Sequence, residues 1–548
     1  MSRSCSGTAR AGSAVSSAPL RARRLSATLD DGRVLFAGLE FALPPGPTAL
    51  IGANGSGKTT LLRLLAGDLP RGDATVDADA PVAWVPQHHG CLPNRVVDLL
   101  GVGARVDALR RLLAGGGDAV DLACVDDAWS LEVDLRARLD VAGLSTIGLD
   151  ADPARLSGGE RQQLCLLAAT RGDAGILLLD EPSTFLDAEA SAYWRDAVLA
   201  CPGTALVVTH DPLWLSAMPR IVELRGGALH WTDGNLDAWR AARDTRRTLE
   251  ARMLDEARAD RERTRRETSV ARERLDRRSA RGRRNARVEN QSPLLLDHRA
   301  DRADRTRSRA QAGLAQRSEA ADSAVCVAFD TMEKRVAPDF IDAAALSVPA
   351  GRQLLSFRDA HPCAVTPRQA LDWTCSGPAR IGLMGRNGSG KSTLLRAIAG
   401  DGVLARGEIV AHVPVQSLDQ HLHALPADAS ALDWLRTRMQ ANEPAEISTR
   451  LALLGLPGAR ARQPLGTLSG GERMRVAVAA AAWSHPAAPL LLLDEPASHL
   501  DFDSVDALVA LLRAWPGALL VVSHDPALLE SLELTHRLHL DADHLTLQ

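Results

Sequence analysis

The chain carries one ordered set of short motifs twice, so its fold has to be a fold made twice. Gly52-Ala-Asn54-Gly55-Ser-Gly57-Lys58-Thr59-Thr60 returns as Gly385-Arg-Asn387-Gly388-Ser-Gly390-Lys391-Ser392-Thr393. Leu-Ser157-Gly158-Gly159-Glu160-Arg161 returns as Leu-Ser469-Gly470-Gly471-Glu472-Arg473. An apolar run ending in Asp180-Glu181-Pro182 returns ending in Asp494-Glu495-Pro496, Leu186-Asp187 returns as Leu500-Asp501, and Val-Val-Thr-His210 as Val-Val-Ser-His524. At 548 residues the chain exceeds one core, and three or four folding units are expected. The repeat assigns two of them. The division that follows is residues 1–20 as a disordered tail, 21–238 as the first repeat, 239–330 as an arginine-rich linker and 331–548 as the second repeat.

Each repeat contains the chemistry of phosphate binding. Thr48–Ile51 reads as a buried strand entering the Gly-rich loop, and Leu61–Leu65 as the apolar start of a helix leaving it. Strand, G-x-x-x-x-G-K-[ST] and helix form the context in which backbone N–H groups and a helix N-terminus converge on phosphate oxygens. Lys58 and Lys391 would reach the β- and γ-phosphates, and the Thr59 and Ser392 hydroxyls would ligate Mg²⁺ beside Asp180 and Asp494. Gln87 follows the strand at Val82–Val85. In the second repeat Gln416 and Gln420 both follow the apolar stretch Ile409–Val415; Lys58 to Gln87 and Lys391 to Gln420 both span 29 positions, which selects Gln420. Gln87 to Ser157 spans 70 positions and Gln420 to Ser469 spans 49, so the first repeat has about 21 extra residues in a helical region.

The Leu-Ser-Gly-Gly-Glu motif after a phosphate-binding loop, followed by Leu-Leu-Leu-Asp-Glu-Pro and a strand ending in His, resembles the ATP-binding cassette (ABC) family. The resemblance implies an α/β fold of two P-loop nucleotide-binding domains that bind ATP with Mg²⁺ and hydrolyse it. It implies that Glu181 and Glu495 polarise the attacking water, that His210 and His524 orient the γ-phosphate, and that Gln87 and Gln420 stand near the metal. In that family two cassettes face head to tail. One site would then join Lys58, Gln87, Asp180, Glu181 and His210 to Ser469–Gly471. The other would join Lys391, Gln420, Asp494, Glu495 and His524 to Ser157–Gly159, and Asp187 and Asp501 count among the nucleotide-binding residues. Two departures stand out. The family usually stacks adenine on an aromatic upstream of the loop, where the first repeat has Leu29 and the second offers no aromatic. The usual Glu-Pro-Thr-Asn-His-Leu-Asp reads Glu181-Pro-Ser-Thr-Phe185-Leu-Asp187 in the first repeat and Glu495-Pro-Ala-Ser-His-Leu-Asp501 in the second.

Charge isolates the middle segment. Residues 241–320 hold 23 arginines, no lysine and 14 acidic residues, a net +9, whereas the whole chain carries −4 and everything outside this stretch therefore −13. Helix-forming residues without Gly or Pro run from Leu236 to about Ala280, with sparse apolar anchors at Trp239, Leu249, Met253 and Leu275. Gly282 and Asn290-Gln-Ser-Pro293 signal a turn, and a second helix is expected from Asp297 to about Ser323. The pattern predicts a charged α-helical hairpin with Arg281, Arg283, Arg284 and Arg287 at its tip. Two fused cassettes around such a hairpin resemble the ABC-F family, in which the linker enters the exit-tRNA region of the ribosome and contacts tRNA and rRNA. The resemblance implies a ribosome partner, pairing of the cassettes within one chain and a monomer, as a translation factor or a ribosome-protection protein conferring antibiotic resistance.

Composition narrows the alternatives. No apolar run reaches the ~18–20 residues that a membrane helix needs, so no membrane domain is expected. The eight cysteines form no C-x-x-C pair, which argues against structural zinc and disulfides and points to a reducing, cytoplasmic setting. The Ser/Ala/Gly-rich start lacks a secretory apolar core; a transit peptide is the alternative to a disordered tail. An ATPase subunit serving a separate membrane permease is disfavoured by the basic linker, and a DNA-repair ATPase by the missing cysteine pairs. Only three lysines occur, Lys58, Lys334 and Lys391, and two of them sit in the Gly-rich loops, where a compact ammonium on a slim stem is required.

Overall fold

A computed structural model describes residues 19–29, 32–87, 90, 92–171, 175–286, 293–331, 346–362, 371–385, 389–402, 404–419, 422–439, 444–484, 487–498, 500–523, 525–540 and 545–547. Among the predicted site residues, Asn387, Gly388, Gln420 and His524 lie outside this set, as do Arg287 of the linker and most of the N-terminal tail. The described chain falls into two compact units: the two repeats together, and the linker Ala238–Arg335.

The first repeat opens with β1 (Leu20–Thr28), β2 (Val34–Leu43) and β3 (Gly46–Ile51), followed by α1 (Lys58–Ala66), β4 (Thr75–Ala78) and β5 (Val82–Val85). Four helices come next: α2 (Val96–Leu99), α3 (Gly103–Leu113), α4 (Ala119–Val125) and α5 (Leu131–Val141). Then follow α6 (Gly158–Arg171), β6 (Ile176–Asp180), α7 (Ala188–Leu199), β7 (Thr204–Val208), α8 (Pro212–Ala217), β8 (Arg220–Arg225) and β9 (Ala228–Asp233). A six-stranded sheet has the order β5-β6-β7-β3-β8-β9, parallel except for β9. β6 and β7 are buried at every position. Both of their faces are covered, which is why the sequence reads there as unbroken Ile, Leu and Val rather than as an alternation. A three-stranded antiparallel sheet, β2-β1-β4, encloses α1 against the larger sheet through Leu25, Phe36, Leu43, Leu61, Leu65 and Leu206.

The second repeat reproduces this plan. β10 (Gln353–Pro362), β11 (Leu371–Ser376) and β13 (Leu404–Ala411) form the antiparallel sheet. β12 (Arg380–Met384), β14 (Val415–Leu418), β15 (Leu490–Asp494), β16 (Ala518–Val522), β17 (His536–Leu540) and β18 (Leu545–Leu547) form the second six-stranded sheet, in the order β14-β15-β16-β12-β17-β18. The single strand expected at Ile409–Val415 is two strands, one in each sheet. The division falls at Pro414, which has no N–H for a ladder and sits at the strand boundary.

The linker is an antiparallel pair, α9 (Leu236–Ala286) and α10 (Pro293–Thr331). Fifty-one residues in α9 correspond to about 77 Å at 1.5 Å per residue. The helix continues through Gly282, where a turn was expected: one glycine costs a helix only about 1 kcal/mol, and the flanking arginines are good helix formers. α10 starts at Pro293 rather than Asp297, since proline suits the first helical position. Arg307 pairs with Asp276 at 2.8 Å and Arg265 with Asp322 at 3.4 Å, an antiparallel register. Of the expected anchors Trp239 is buried, whereas Leu249 and Met253 are exposed and Leu254 is buried instead.

In the first repeat the indole of Trp214 on α8 is fully buried and donates its N–H to Ser191 Oγ on α7 at 2.9 Å. Ser191→Ala leaves that donor unpaired, a loss of about 1–3 kcal/mol. The expected result is a lower urea midpoint at unchanged slope.

Candidate functional site

The parallel register brings the predicted residues of the first repeat to one edge of its sheet. Leu50 of β3 and Asp180 of β6 both stand level with Val208 of β7. The loops leaving the carboxyl ends of β3, β5, β6 and β7 therefore emerge together, carrying Gly52–Lys58, Gln87, Glu181 and His210. Ligands of open parallel sheets bind at this edge.

The Gly-rich loop is shaped by backbone approach. A Cβ on Gly52 would stand 2.5 Å from the carbonyl oxygen of Leu224. Gly57 has φ +103° and leads directly into α1, with Phe36 and Leu35 packed over it. Only glycine meets both requirements. Lys58 is buried, and its Nζ donates to Gly52 O at 2.7 Å and Ala53 O at 3.1 Å, folding the loop around the ammonium. Burial pushes the Lys58 pKa down, against the pull of Glu181, Asp501 and Asp180. In the second repeat Lys391 donates to Gly385 O at 2.8 Å, and Gly390 has φ +93° ahead of the helix Lys391–Ala399. The threonine and serine that follow the lysines, Thr59 and Ser392, are exposed, while Thr60 and Thr393 are half-buried.

Asp180 is buried at the end of β6, and Glu181 leaves the strand at φ +50°. Glu495 repeats this geometry after Asp494, at φ +47°. A left-handed glutamate is disfavoured by its Cβ and persists where its surroundings fix it. Here the Glu181 N–H donates to Val208 O at 2.8 Å and the Glu495 N–H to Val522 O at 3.0 Å. The turn sends each carboxylate out over the sheet edge. His210 Nε2 lies 3.9 Å from Glu181 Oε1, and neither ring nitrogen of His210 has a hydrogen-bond partner. Burial raises the Glu181 carboxyl above its ordinary range, opposed by Lys58 and reinforced by Asp180. Burial, with Lys58, lowers His210 to about 3.

The Leu-Ser-Gly-Gly-Glu segments are helix starts. Ser469 N-caps the helix Gly470–Trp483: its Oγ accepts from Glu472 N at 3.2 Å, while Glu472 Oε2 accepts from Ser469 N at 2.8 Å. Ser157 and Glu160 form the same reciprocal pair, at 3.3 and 2.8 Å. A Cβ on Gly159 would meet the carbonyl oxygen of Phe185 at 2.7 Å, so glycine lets the helix close on the loop after β6. Gly158 and Gly470 meet Phe185 and Leu500 of their own halves only at ordinary contact distance, 3.5 Å, whereas a Cβ on Gly471 would run into Ser504.

The two repeats touch at the first site. Asp501 N-caps the helix Phe502–Arg513, its Oδ1 accepting from Ser504 N at 2.9 Å. Its Oδ2 accepts from Asn54 N, in the Gly-rich loop of the other repeat, at 2.6 Å. Burial opposes ionisation of Asp501, but the hydrogen bonds from Ser504 and Asn54 hold its pKa below the ordinary value. The ring of Phe502 lies 5.8 Å from that of His210. Asp187 N-caps α7 through Ala190 N at 2.8 Å. The sequence motifs mark Asp501 as a nucleotide-binding residue without assigning it to a site, and Phe502 lies one residue beyond the motif.

The family profile described as ABC transporter matches residues 36–184 and 369–498. The tylosin resistance ATP-binding protein TlrC of Streptomyces fradiae is 31% identical over 537 residues, covering 90% of this chain and 92% of that protein. The human ATP-binding cassette sub-family F member 3 is 28% identical, covering 90% and 67%, and the energy-dependent translational throttle protein EttA of Escherichia coli is 28% identical, covering 88% and 85%. The chain belongs to the ABC-F family. Two solved structures share its fold: RNase-L inhibitor, at 18% identity and a TM-score of 0.51 over 90% of this chain and 83% of that one, and archaeal ribosome recycling factor aABCE1 in complex with stalk protein aP1, at 17% and 0.53 over 94% and 87%. The ABC-F assignment makes the cassettes ATPase domains. Among the described residues no helix is long and apolar enough to cross a membrane, and no cluster of three or more His, Cys, Asp or Glu is arranged to hold a metal.

The ABC-F linker presents Arg281 and Arg284 exposed near the end of α9. An open groove between α9 and α10 is lined by Val270, Leu275, Leu314, Arg274, Arg278 and Arg317.

With Glu181 raised by burial, its proton leaves only as pH climbs above the usual carboxylate range, so turnover that needs the anion increases with pH. His210 stays neutral over the same window. In a Glu495→Gln variant kcat should climb through neutrality; a profile from about pH 6 to about pH 9 checks this.

Proposed function

We propose that this ABC-F protein is a cytoplasmic, Mg²⁺-dependent ATPase that acts on the ribosome, its two cassettes pairing within one chain to enclose two ATP sites. The hydrogen bond from Asn54 N to Asp501 carries the reading of the pairing: it ties the phosphate loop of one cassette to the other. Gly52, Asn54, Gly55, Gly57, Lys58, Thr59 and Thr60 cradle the phosphates of the first ATP, and Gly385, Gly390, Lys391, Ser392 and Thr393 those of the second, with Asn387 and Gly388 completing that loop. Ser469–Gly471 close the first site and Ser157–Gly159 the second. The donor set fits a hard cation, because the hydroxyls of Thr59 and Ser392 and the carboxylates of Asp180 and Asp494 are oxygen ligands of the kind Mg²⁺ takes, with Gln87 and Gln420 beside them. When bound, the metal would neutralise charge on the β- and γ-phosphates.

The residues divide the work of phosphoryl transfer to water. Lys58, held by two loop carbonyls, faces the phosphates with its remaining donor capacity. Glu181, aimed by its left-handed turn, accepts a proton from the attacking water, and Glu495 does so at the second site. His210 is neutral and has both ring nitrogens unused, which suits a donor to a γ-phosphate oxygen; His524 has the same role by position. Desolvation that raises the Glu181 pKa also makes it a better base near neutral pH.

The ribosome enters through the linker and the relatives. EttA is named a translational throttle and aABCE1 a ribosome recycling factor, and TlrC is named for tylosin resistance. A +9 segment with exposed arginines suits RNA, since guanidinium pairs with phosphate and stacks on bases. A translation factor and a drug-resistance protein would use this machinery alike.

Glu181→Gln with Glu495→Gln should retain ATP binding and lose turnover by about 10²-fold or more; nucleotide binding and phosphate release read the two separately. Changing Arg281, Arg283, Arg284 and Arg287 together to Gln should weaken pelleting with ribosomes and flatten its dependence on salt, because fewer counterions are released. Equal affinity and equal slope for that variant and the wild type would reduce the hairpin to a spacer.

A further inference from the structure

Two adjacent residues of the second cassette reach into the Lys58 site, and the motif reading uses only one of them. Asp501 grips the phosphate loop through Asn54 N at 2.6 Å. Phe502, the next residue, begins the helix Phe502–Arg513 and sets its ring 5.8 Å from the ring of His210, with the planes at 59°. His210 leaves its strand without a hydrogen bond at either ring nitrogen, and its distance to Glu181, 3.9 Å, is beyond hydrogen-bond reach. A histidine that aims a polar atom at a substrate is normally oriented by a hydrogen bond at its other nitrogen. Here the orientation comes from packing, and the aromatic side chain packed on it belongs to the opposite cassette.

The cassettes differ at this point. Leu186-Asp187 is followed by Ala188, and Leu500-Asp501 by Phe502. Each of these residues is the first of a helix capped by its aspartate. At the position that corresponds to Phe502, the Lys391 site is therefore matched with a methyl group instead of a ring.

We propose that Phe502 is a positioning residue for ATP hydrolysis at the Lys58 site: it holds the His210 ring toward the γ-phosphate from across the cassette interface, and the Lys391 site works without such a ring. The inference rests on the roles given above to His210, Glu181 and Glu495. It makes the two sites unequal. The Lys58 site has a competent histidine only while the second cassette is docked, because the same turn that supplies Asp501 to Asn54 supplies Phe502 to His210. Since the ring touches neither substrate nor reacting atoms, its loss should lower kcat with little change in KM.

The test uses the full-length protein in two backgrounds. Glu495→Gln confines turnover to the Lys58 site, and Glu181→Gln confines it to the Lys391 site. Adding Phe502→Ala to the first should lower kcat about tenfold, the scale of a modest misplacement of a catalytic group, with KM for ATP within about twofold. Adding it to the second should leave kcat as it was. Phe502→Tyr, which keeps the ring, should restore the first background. In Glu495→Gln with His210→Ala, Phe502→Ala should have no further effect, since both changes remove one interaction. Equal losses in the two backgrounds, no loss in the first, or a full additional loss on top of His210→Ala would each overturn the proposal. The backgrounds also test the reading beneath it: full turnover in the Glu181→Gln, Glu495→Gln double variant would overturn that reading and this inference together, whereas a dead double variant with a silent Phe502→Ala overturns this inference alone.

Discussion

The site depends on the register of three parallel strands. β3, β7 and β6 are aligned so that Leu50, Val208 and Asp180 stand level, and each strand then ends within a residue or two of the others. A slip of one residue would turn Asp180 to the other face of the sheet and carry Glu181 away from the Gly-rich loop. Burial of both faces prevents that slip. The same alignment is fixed twice, since β12, β16 and β15 pair in the same order. The hydrogen bond from the residue after the strand to the end of its neighbour, Glu181 to Val208 and Glu495 to Val522, converts the register into the direction of a carboxylate.

Duplication explains why motifs that look catalytic are also structural. Ser157 with Glu160, and Ser469 with Glu472, satisfy each other's backbone N–H groups at a helix start. Asp187 and Asp501 cap the helices they precede. A capping aspartate uses one oxygen on its own helix and keeps the second for another partner, and Asp501 spends that second oxygen on Asn54 of the opposite cassette. The capping geometry aims the residue, so the contact between cassettes inherits the precision of a helix N-terminus. Its neighbours on the helix are then brought to the same site without any motif of their own, as Phe502 shows.

That is also the boundary of what could be read from the chain. The duplicated loop, signature and strand-end carboxylates were legible because each is a local pattern with a local physical cause: a close backbone approach at Gly52, a capping box at Ser469, a fully buried strand before Asp180. The hairpin was legible from propensity and charge, but of its two turn signals, Gly282 and Asn290–Pro293, Gly282 lies inside the helix, because a single glycine does not stop a long arginine-rich helix. The left-handed turns at Glu181 and Glu495 were not legible, since glutamate gives no hint of positive φ and only the pairing with the adjacent strand enforces it. The contact of Phe502 with His210 joins residues 292 positions apart on different cassettes, and nothing near either residue in sequence announces it.

The placement of two of the three lysines follows from the same geometry. A chain that uses arginine almost everywhere keeps lysine in both phosphate loops. Lys58 Nζ sits at 2.7 and 3.1 Å from two carbonyl oxygens of the loop that encloses it, and Lys391 Nζ at 2.8 Å from the equivalent one. An ammonium directs its three donors around a point, so it can hold the loop and still face a phosphate. A guanidinium is planar and wider and would have to open the loop to fit, which the approach of Gly52 to Leu224 forbids. In the linker the preference is reversed for the same reason. Arg281 and Arg284 stand on an open helix surface, where a planar fork has room to pair with phosphate and stack on a base. Compact charge lies where the backbone closes around it, and broad charge lies on an open helix surface.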